Sequence, residues 1–276
     1  MSTLFLVATP IGNLEDITHR ALRVLGDVAL IAAEDTRQTR KLLTHYSIEP
    51  QHALLSYHEH SSEQQLEKLL SVLAEGDVAL VSDAGTPGIN DPGYLLVRAA
   101  LDAGHIVSPI PGASAPVAAL VASGLPSDAF LYLGYLPRKA SQRRQAIRDV
   151  AQHPYTLIFL ETPHRLLAAL QDLELVLGNR PVVVAREMTK LYEEFFRGTI
   201  PEAIAHFETQ APRGEITLVI GGAASQPETW NESRLRAEIA ATLSDGEKPS
   251  KIARQLAAES GWPRRDVYNL VMELSE

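Results

Sequence analysis

The sequence contains no cysteine, which excludes disulfide bonds, thiol catalysis and cysteine-bound zinc. No stretch approaches the roughly 18 consecutive apolar residues that a membrane-spanning helix needs. The first residues, MSTLFLVATPIGN, lack the positively charged start of a secretory signal and are predicted to form a strand. We therefore expect a cytoplasmic protein that makes no membrane contact, and we expect no metal ion.

Two common nucleotide-binding motifs are also missing. The chain has neither the G-x-x-x-x-G-K-[ST] pattern of a phosphate-binding loop nor the G-x-G-x-x-G pattern of dinucleotide-binding enzymes, so hydride transfer is disfavoured. The net charge of −9 argues against general attraction to nucleic acid. One segment departs from this average, because Pro137–Arg148 is basic and contains no acidic residue. It is either a nucleic-acid contact or a solvated helix face.

Apolar runs that are typical of strands alternate with segments of helical periodicity, and this alternation predicts parallel sheets covered by helices. We expect an α/β protein with two α/β domains, whose sheets are mainly parallel and form a cleft, and a small helical domain at the C-terminus. The predicted divisions are an N-terminal α/β domain over 1–122, a linker over 123–129, a second α/β domain over 130–224 and a helical tail over 232–276.

The tail has the residue spacing of a helix-turn-helix. Ala257 and Gly261 are four residues apart, where two helices would cross and turn, and Leu256, Trp262 and Val267 could close a small core. A plain helical hairpin would satisfy the same pattern.

Three stiff loops follow predicted strands of the first domain. Val81–Gly93, with the sequence VSDAGTPGINDPG, combines glycines that permit close approach to the backbone with prolines that fix its conformation. Asp91-Pro92 within it is typical of a helix start. The other two loops contain Pro10 and Gly12, and Pro111 and Gly112. Because ligands of parallel sheets bind beyond the carboxyl ends of the strands, these loops predict one shared crevice.

Several segments together resemble the tetrapyrrole methylase superfamily, and within it the branch that methylates ribosomal RNA. The similar segments are ATPIGNLEDIT, AAEDTRQTRKLL, SDAGTPGINDPG, PIPGASA, LETPHRL, AREMTKLYEEFFRG and PRGEITLVIGG, which extend over nearly the whole chain. Thr86 stands where relatives that modify tetrapyrroles typically carry aspartate.

The resemblance implies S-adenosylmethionine bound between the two α/β domains. It also implies 2′-O-methylation of the ribose of a decoding-centre cytidine in 16S rRNA of the small ribosomal subunit, and it favours a homodimer. The cofactor contacts that we expect are Pro10, Asp83, Ala84, Gly85, Ile89, Ser114, Ala115, Leu133 and Met188.

A ribose hydroxyl is a poor nucleophile at neutral pH, so a nearby base or cation should assist its reaction. The candidates for this catalytic role are Asp35, Glu187 and Lys190, and also Glu161 with His164, although each could instead form a structural ion pair with a neighbour. Phosphate contacts would position the RNA. The residues predicted to make these contacts are Arg37, Arg40, Lys41, Arg138, Lys139, Arg143, Arg144 and Arg148.

Two other classes of function stay open. The chain could be a related methyltransferase that acts on a tetrapyrrole or a protein side chain, although neither the basic segment nor the tail is needed for a small macrocycle. It could also be a non-catalytic helix-turn-helix regulator that senses a nucleoside-like ligand and binds duplex DNA through its tail.

Overall fold

The computed structural model describes residues 2–48, 53–58, 61–223, 230–244 and 247–275. The chain forms two compact units, Met1–Gly222 and Ala223–Glu276. Both β-sheets lie in the first unit. Among the described residues, no helix is both long and apolar enough to span a membrane.

The first sheet consists of parallel strands in the order β3-β2-β4-β1-β5. Its strands are β1 (Thr3–Val7), β2 (Leu30–Ala33), β3 (Leu54–Ser56), β4 (Val78–Val81) and β5 (Ile106–Ile110). The helices of this half are α1 (His19–Asp27), α2 (Thr36–His45), α3 (Glu63–Glu75), α4 (Tyr94–Asp102) and α5 (Ala115–Ser123). Every residue of β2 and β4 is buried, as expected for inner strands with helices on both faces. Parallel direction brings the carboxyl ends of these strands to one edge.

The second sheet has the order β6-β7-β10-β8-β9. Its strands are β6 (Phe130–Tyr135), β7 (Thr156–Glu161), β8 (Pro181–Arg186), β9 (Glu194–Thr199) and β10 (Ile216–Ile220). The helices of this half are α6 (Ala140–Val150), α7 (Leu166–Leu177) and α8 (Ile200–Thr209). Short 3-10 helices cover Leu14–Asp16 in the first half and Pro163–Arg165 in the second.

The expected α/β architecture with two sheets is confirmed, and the parallel character is concentrated in the first sheet. In the second sheet β6 and β7 are parallel, whereas β10 is antiparallel to both β7 and β8, and β8 is antiparallel to β9. The loop 187–193 between β8 and β9 is too short for the crossover of about a dozen residues that parallel neighbours require, so these strands form a hairpin.

A shared apolar cluster joins the two halves of the first unit. Ala119 and Leu120 of α5 pack with Ile158, Val183 and Val219 of the second sheet. Ile11 and Met188, from the loops after β1 and β8, belong to the same cluster. The loops that follow the first sheet therefore face the second sheet.

Local residues determine where the helices near this edge begin. Asp35 caps α2 by accepting a hydrogen bond from the Arg37 N–H at 2.8 Å. The expected cap at Asp91 is wrong, because α4 begins after Gly93, whose φ of 151° disfavours other residues. The Asp91 carboxyl is thereby left for another role.

The second unit contains α9 (Glu232–Ser244), α10 (Pro249–Ser260) and α11 (Arg264–Leu274), which confirms the expected helical tail. Its buried core includes Leu235, Ile252 and Val267, one residue from each helix. Gly261 ends α10 in the left-handed conformation with φ of 68°, at the turn where the spacing predicts a glycine.

Candidate cofactor cavity and acceptor site

A cavity lies at the carboxyl edge of the first sheet, facing the second sheet. The first half contributes residues that follow β1, β2, β4 and β5, namely Ile11, Glu34, Asp83, Ala84, Gly85, Thr86, Ile89, Asn90, Asp91, Ser114, Ala115 and Pro116. The second half contributes Tyr132, Tyr135, Leu160, Met188, Glu215, Ile216 and Thr217. The cavity therefore has walls from both α/β halves.

The three stiff loops of the first half are joined by hydrogen bonds. Thr9 and Gly85 exchange two backbone hydrogen bonds of 2.8 and 2.9 Å, and the Thr86 hydroxyl donates to the Ala113 carbonyl at 3.1 Å. Gly85 has a φ of 81°, which a residue with a side chain adopts only under strain. A side chain at Gly112 would lie 2.9 Å from the Ala8 Cβ, so glycine permits the close approach of these loops.

The loop after β1 also contacts the β8–β9 loop of the opposite half. The Asn13 N–H donates to the Thr189 hydroxyl at 3.0 Å. A Cβ atom at Gly12 would lie 2.5 Å from Lys190 Cγ. These contacts fix the β8–β9 loop against the first half, and Met188 of that loop lines the cavity.

Carboxylates give the cavity an acidic wall. The Asp83 N–H donates to Glu34 at 3.2 Å, and the Asp83 carboxylate accepts from the Asp35 N–H at 3.0 Å. Burial raises the pKa of Asp91 to about 6, and the negative charges of Glu34 and Asp83 also raise it. A hydrogen bond from Ser82 lowers this pKa but does not outweigh them. A cationic ligand would relieve this repulsion.

A buried hydroxyl also faces the cavity. Tyr132 lines it, and its hydroxyl is buried with no hydrogen-bond partner among the described residues. Burial raises the pKa of Tyr132 to about 12, so the hydroxyl keeps its proton at neutral pH and can donate it to a ligand. An unpaired buried polar group of this kind indicates a missing partner.

Most of the predicted cofactor contacts lie together. Those that line the cavity are Asp83, Ala84, Gly85, Ile89, Ser114, Ala115 and Met188. Pro10 instead lines an adjoining groove that shares Asp83 with the cavity. Leu133 was expected at the cavity, but this residue is 38% exposed and does not line it, whereas Tyr132 and Tyr135 do. The pairing of β6 with β7 is irregular between Tyr132 and Tyr135, which changes the usual alternation of faces.

The sequence interpretation also missed Glu34, Asp91 and Glu215 as wall residues. Glu34 directly follows β2, so the same argument about strand ends could have identified it. Glu215 precedes β10, and its position depends on the antiparallel direction of that strand.

The predicted catalytic pair Glu187 and Lys190 forms an ion pair of 2.9 Å, and Lys190 Nζ also contacts Glu215 at 3.2 Å. Burial alone would lower the pKa of Lys190, but its hydrogen bonds to the two carboxylates give a net rise. The hydrogen bond from Lys190 lowers the pKa of Glu187. Both groups are therefore charged at neutral pH, and Glu215 places them beside the cavity.

The backbone of the same loop is strained. Glu187 and Thr189 have φ angles of 49° and 66°, in the left-handed region that non-glycine residues rarely adopt. Such strain is often found at functional sites. A Cβ atom at Gly214 would lie 2.0 Å from the Glu187 carboxylate, so glycine leaves room for that side chain.

The Asp35 carboxylate, the third catalytic candidate, has structural partners. It caps α2 and accepts hydrogen bonds from the Arg37 guanidinium, the shortest at 2.6 Å. That guanidinium lowers the pKa of Asp35 to about 2, which makes the carboxylate a weak proton acceptor.

The predicted RNA contacts divide into exposed and buried residues. The predicted RNA contact at Arg143 is wrong, because only 6% of this residue is exposed and its guanidinium pairs with the buried Asp172 at 2.6 Å. Arg144 is partly exposed, with 39% of its side chain accessible. The exposed members of the set are Arg37, Arg40, Lys41, Arg138, Lys139 and Arg148.

The residues of the cavity fit S-adenosylmethionine. Its acidic wall suits a positively charged sulfonium, the free Tyr132 hydroxyl offers a hydrogen bond, and Ile11, Ile89 and Met188 provide apolar surface for the adenosine. Among the described residues, no group of three or more histidine and acidic side chains is placed to hold a metal ion.

The fold and this cavity define a two-domain α/β methyltransferase architecture, and the chain belongs to the tetrapyrrole (corrin/porphyrin) methylase family, whose profile matches residues 3–204. Two of its relatives are named ribosomal RNA small subunit methyltransferase I. The protein from Halalkalibacterium halodurans is 48% identical over 273 residues, which cover 97% of this chain and 94% of the relative. The protein from Synechocystis sp. is 49% identical over 278 residues, which cover 99% of both.

Solved structures of lower identity share the fold. The methyltransferase CobJ is 19% identical with a TM-score of 0.59, and the match covers 81% of this chain and 95% of CobJ. Uroporphyrin-III C-methyl transferase from Thermus thermophilus, in complex with S-adenyl homocysteine, is 20% identical with a TM-score of 0.53, covering 81% of this chain and 98% of that one.

Proposed function

We propose that the chain is an S-adenosylmethionine-dependent methyltransferase that acts on RNA of the small ribosomal subunit. The observation that carries this proposal is identity of nearly half over the whole chain with relatives named for that activity. The acidic cavity between the two α/β halves supports the cofactor assignment, because its carboxylates suit a sulfonium ligand.

When bound, S-adenosylmethionine supplies a methyl group that the positive sulfur activates for transfer. Main-chain groups near Gly85 and Ser114, together with the Tyr132 hydroxyl, would hold the nucleoside part. Glu34, Asp83 and Asp91 would face the positively charged part. Positioning of this kind can supply roughly 7–11 kcal/mol of the barrier reduction in a two-reactant step.

The acceptor is the 2′-hydroxyl of a cytidine ribose at the decoding centre of 16S rRNA. Lys190 acts as a fixed positive charge, because its contacts with Glu187 and Glu215 keep the ammonium protonated. It stabilises the oxygen as the hydroxyl proton leaves to solvent. Glu187 orients this lysine, and Asp35 maintains the start of α2 through Arg37.

Exposed cations on α2 and near α6 hold the RNA by its phosphates. They are Arg37, Arg40, Lys41, Arg138, Lys139, Arg144 and Arg148. Except at Lys41, which also lines a groove beside the cavity, these contacts position the substrate without reading its sequence. They make binding salt-dependent even though the whole chain carries a net charge of −9.

The protein acts as a homodimer in the cytoplasm, where ribosomal subunits are assembled. Apolar side chains that stay exposed in the single chain support the dimer, since 47% of Val117, 73% of Val121 and 41% of Phe130 are accessible.

The direct experiment measures transfer of a radiolabelled methyl group from S-adenosylmethionine to small subunits that lack the modification. We expect label in the 16S rRNA, at a ribose that resists alkaline cleavage after the reaction. Label in an added tetrapyrrole or in ribosomal protein, with none in RNA, would contradict the proposal. Specific binding of duplex DNA without methyl transfer would instead support a regulator.

A further inference from the structure

A groove lies next to the cofactor cavity, between the turn after β1, the first turns of α2 and the end of β4. Its apolar surface comes from Pro10, Leu14 and Leu42, and its polar side chains include Gln38 and Lys41. None of the roles proposed for residues of the cofactor cavity involves the apolar side chains of this groove. A concave site that combines apolar side chains with a few hydrogen-bonding groups is typical of a site for a small organic group such as a nucleobase.

The groove and the cavity share one residue as a wall. Asp83 lines both, and its carboxylate is held by the Asp35 N–H at 3.0 Å. The groove also ends at Ser82, whose carbonyl accepts a hydrogen bond from the Thr9 hydroxyl at 3.2 Å. A molecule in the groove would therefore lie directly beside the ligand of the cavity, as the second reactant of a transfer must.

The helix that forms one side of the groove is basic. Residues 36–45 contain Arg37, Arg40 and Lys41 and no acidic residue. All three of these side chains are exposed. A positive helix beside an apolar groove is complementary to a nucleotide within a chain, because phosphates lie on either side of each base.

We propose that this groove receives the base of the acceptor nucleotide, and that Gln38 and Lys41 read the edge of that base. This inference rests on the proposed function and adds to it the subsite that selects the acceptor. The base must leave its stack to enter the groove, as unstacked bases do in most sequence-specific recognition of RNA.

The hydrogen bonds in the groove indicate which base edge fits. Lys41 Nζ can only donate, and it donates to Gln38 Oε1 at 3.2 Å. The carboxamide oxygen of Gln38 is thereby engaged, and its nitrogen remains as a second donor. Two neighbouring donors match the adjacent N3 and O2 acceptors of cytosine. Uracil fits less well, because its N3 carries a hydrogen.

The test uses Leu14→Trp, which fills the groove, and Gln38→Glu, which replaces a donor with an acceptor at nearly constant size. Lys68→Ala is the matched control, since Lys68 is exposed on α3 and lies outside both the cavity and the groove. Each protein is assayed for S-adenosylhomocysteine affinity by calorimetry. Its kcat/KM is then measured on unmodified small subunits that carry either cytidine or uridine at the acceptor position.

We expect both groove variants to lose about tenfold in kcat/KM on the cytidine substrate while cofactor affinity stays within about twofold. The wild type should prefer cytidine, and Gln38→Glu should reduce that preference. Equal activity of the groove variants and the control would overturn the inference, as would a parallel loss of cofactor affinity. If Leu14→Trp fails to fold, the surface substitution Gln38→Glu decides the matter.

A failure of the proposed function would look different. In that case the wild-type protein would transfer no methyl group to the RNA of unmodified subunits. An active wild type that shows no preference between cytidine and uridine would contradict only the reading of the base in the groove.

Discussion

Replacing Asp91 with asparagine should stabilise the ligand-free protein at neutral pH and lower its affinity for the cofactor. The carboxyl of Asp91 is partly buried in the cavity, and its pKa is raised from 3.8 to about 6 by burial first and then by Glu34 and Asp83. Ionising this group in the folded protein therefore costs more free energy than ionising it in the unfolded chain.

The raised pKa sets both the size and the direction of the effect. A rise from 3.8 to about 6 sets an upper bound of about 3 kcal/mol once the group is ionised in both states, and solvent screening of this partly exposed carboxyl reduces the expected effect to about 1–2 kcal/mol. Below pH 3.8 the carboxyl is protonated in both states, and no penalty exists. Between pH 3.8 and 6 only the unfolded chain loses its proton, so stability falls as pH rises. Above pH 6 the full penalty is present, and Asp91→Asn removes it.

The assay is urea unfolding of the ligand-free wild type and of Asp91→Asn at pH 4, 5 and 7.5. The gain in free energy of unfolding should grow from near zero to about 1–2 kcal/mol across this range. Asp102→Asn, at an exposed position at the end of α4, is the control and should show little change. If Asp91→Asn raised the free energy of unfolding equally at all three pH values, the claim that the cavity disfavours ionisation of this carboxyl would be refuted.

Three further predictions test other parts of the site. Gly85→Val places a branched side chain at a φ of 81°, at a cost of roughly 1–2 kcal/mol, and should abolish cofactor binding in a protein that still folds; unchanged calorimetric affinity would count against the cavity. Arg143→Ala leaves the buried Asp172 without its close partner and should lower the free energy of unfolding by about 3 kcal/mol, whereas Arg144→Ala should cost less than about 1 kcal/mol and instead flatten the salt dependence of RNA binding. Equal destabilisation by the two arginine variants would contradict their assignment. Lys190→Met should reduce kcat about 100-fold with little change in cofactor affinity, and a fully active variant would remove Lys190 from the catalytic site.

The first half of the molecule was largely predictable because its strands and loops follow simple rules. Apolar runs gave the strands, and glycine–proline loops after β1, β4 and β5 implied one crevice, because parallel strands end at one edge. The same reasoning located Gly85 and Ser114, both of which line the cavity. Glu34 could have been added by extending the argument to β2.

The second half was harder to predict because its site residues depend on pairing and local irregularity. Lys190 meets Glu215 only because β8 and β10 are neighbours, which their separation along the chain does not reveal. The irregularity in β6 places both Tyr132 and Tyr135 at the cavity, where strict alternation would not.

Arg143 was misassigned even though a signal for its burial was present. It precedes the buried Ile147 by four residues and Val150 by seven, the spacing of one helix face. The basic composition of Pro137–Arg148 predicted RNA contacts along the whole segment. Helical periodicity, in contrast, places Arg143 on the buried face of α6 and its neighbours on the exposed face. Its partner Asp172 lies on α7 and could not be named from the segment alone.

The central claim is that stiff loops after successive strands form one cavity that holds a sulfonium-bearing nucleoside against the second sheet. A crystal structure with bound S-adenosylhomocysteine tests this most directly. We expect the ligand to contact the main chain at Gly85 and Ser114 and to accept a hydrogen bond from Tyr132. Density for the ligand at any other surface, with Tyr132 still unpaired, would contradict the claim.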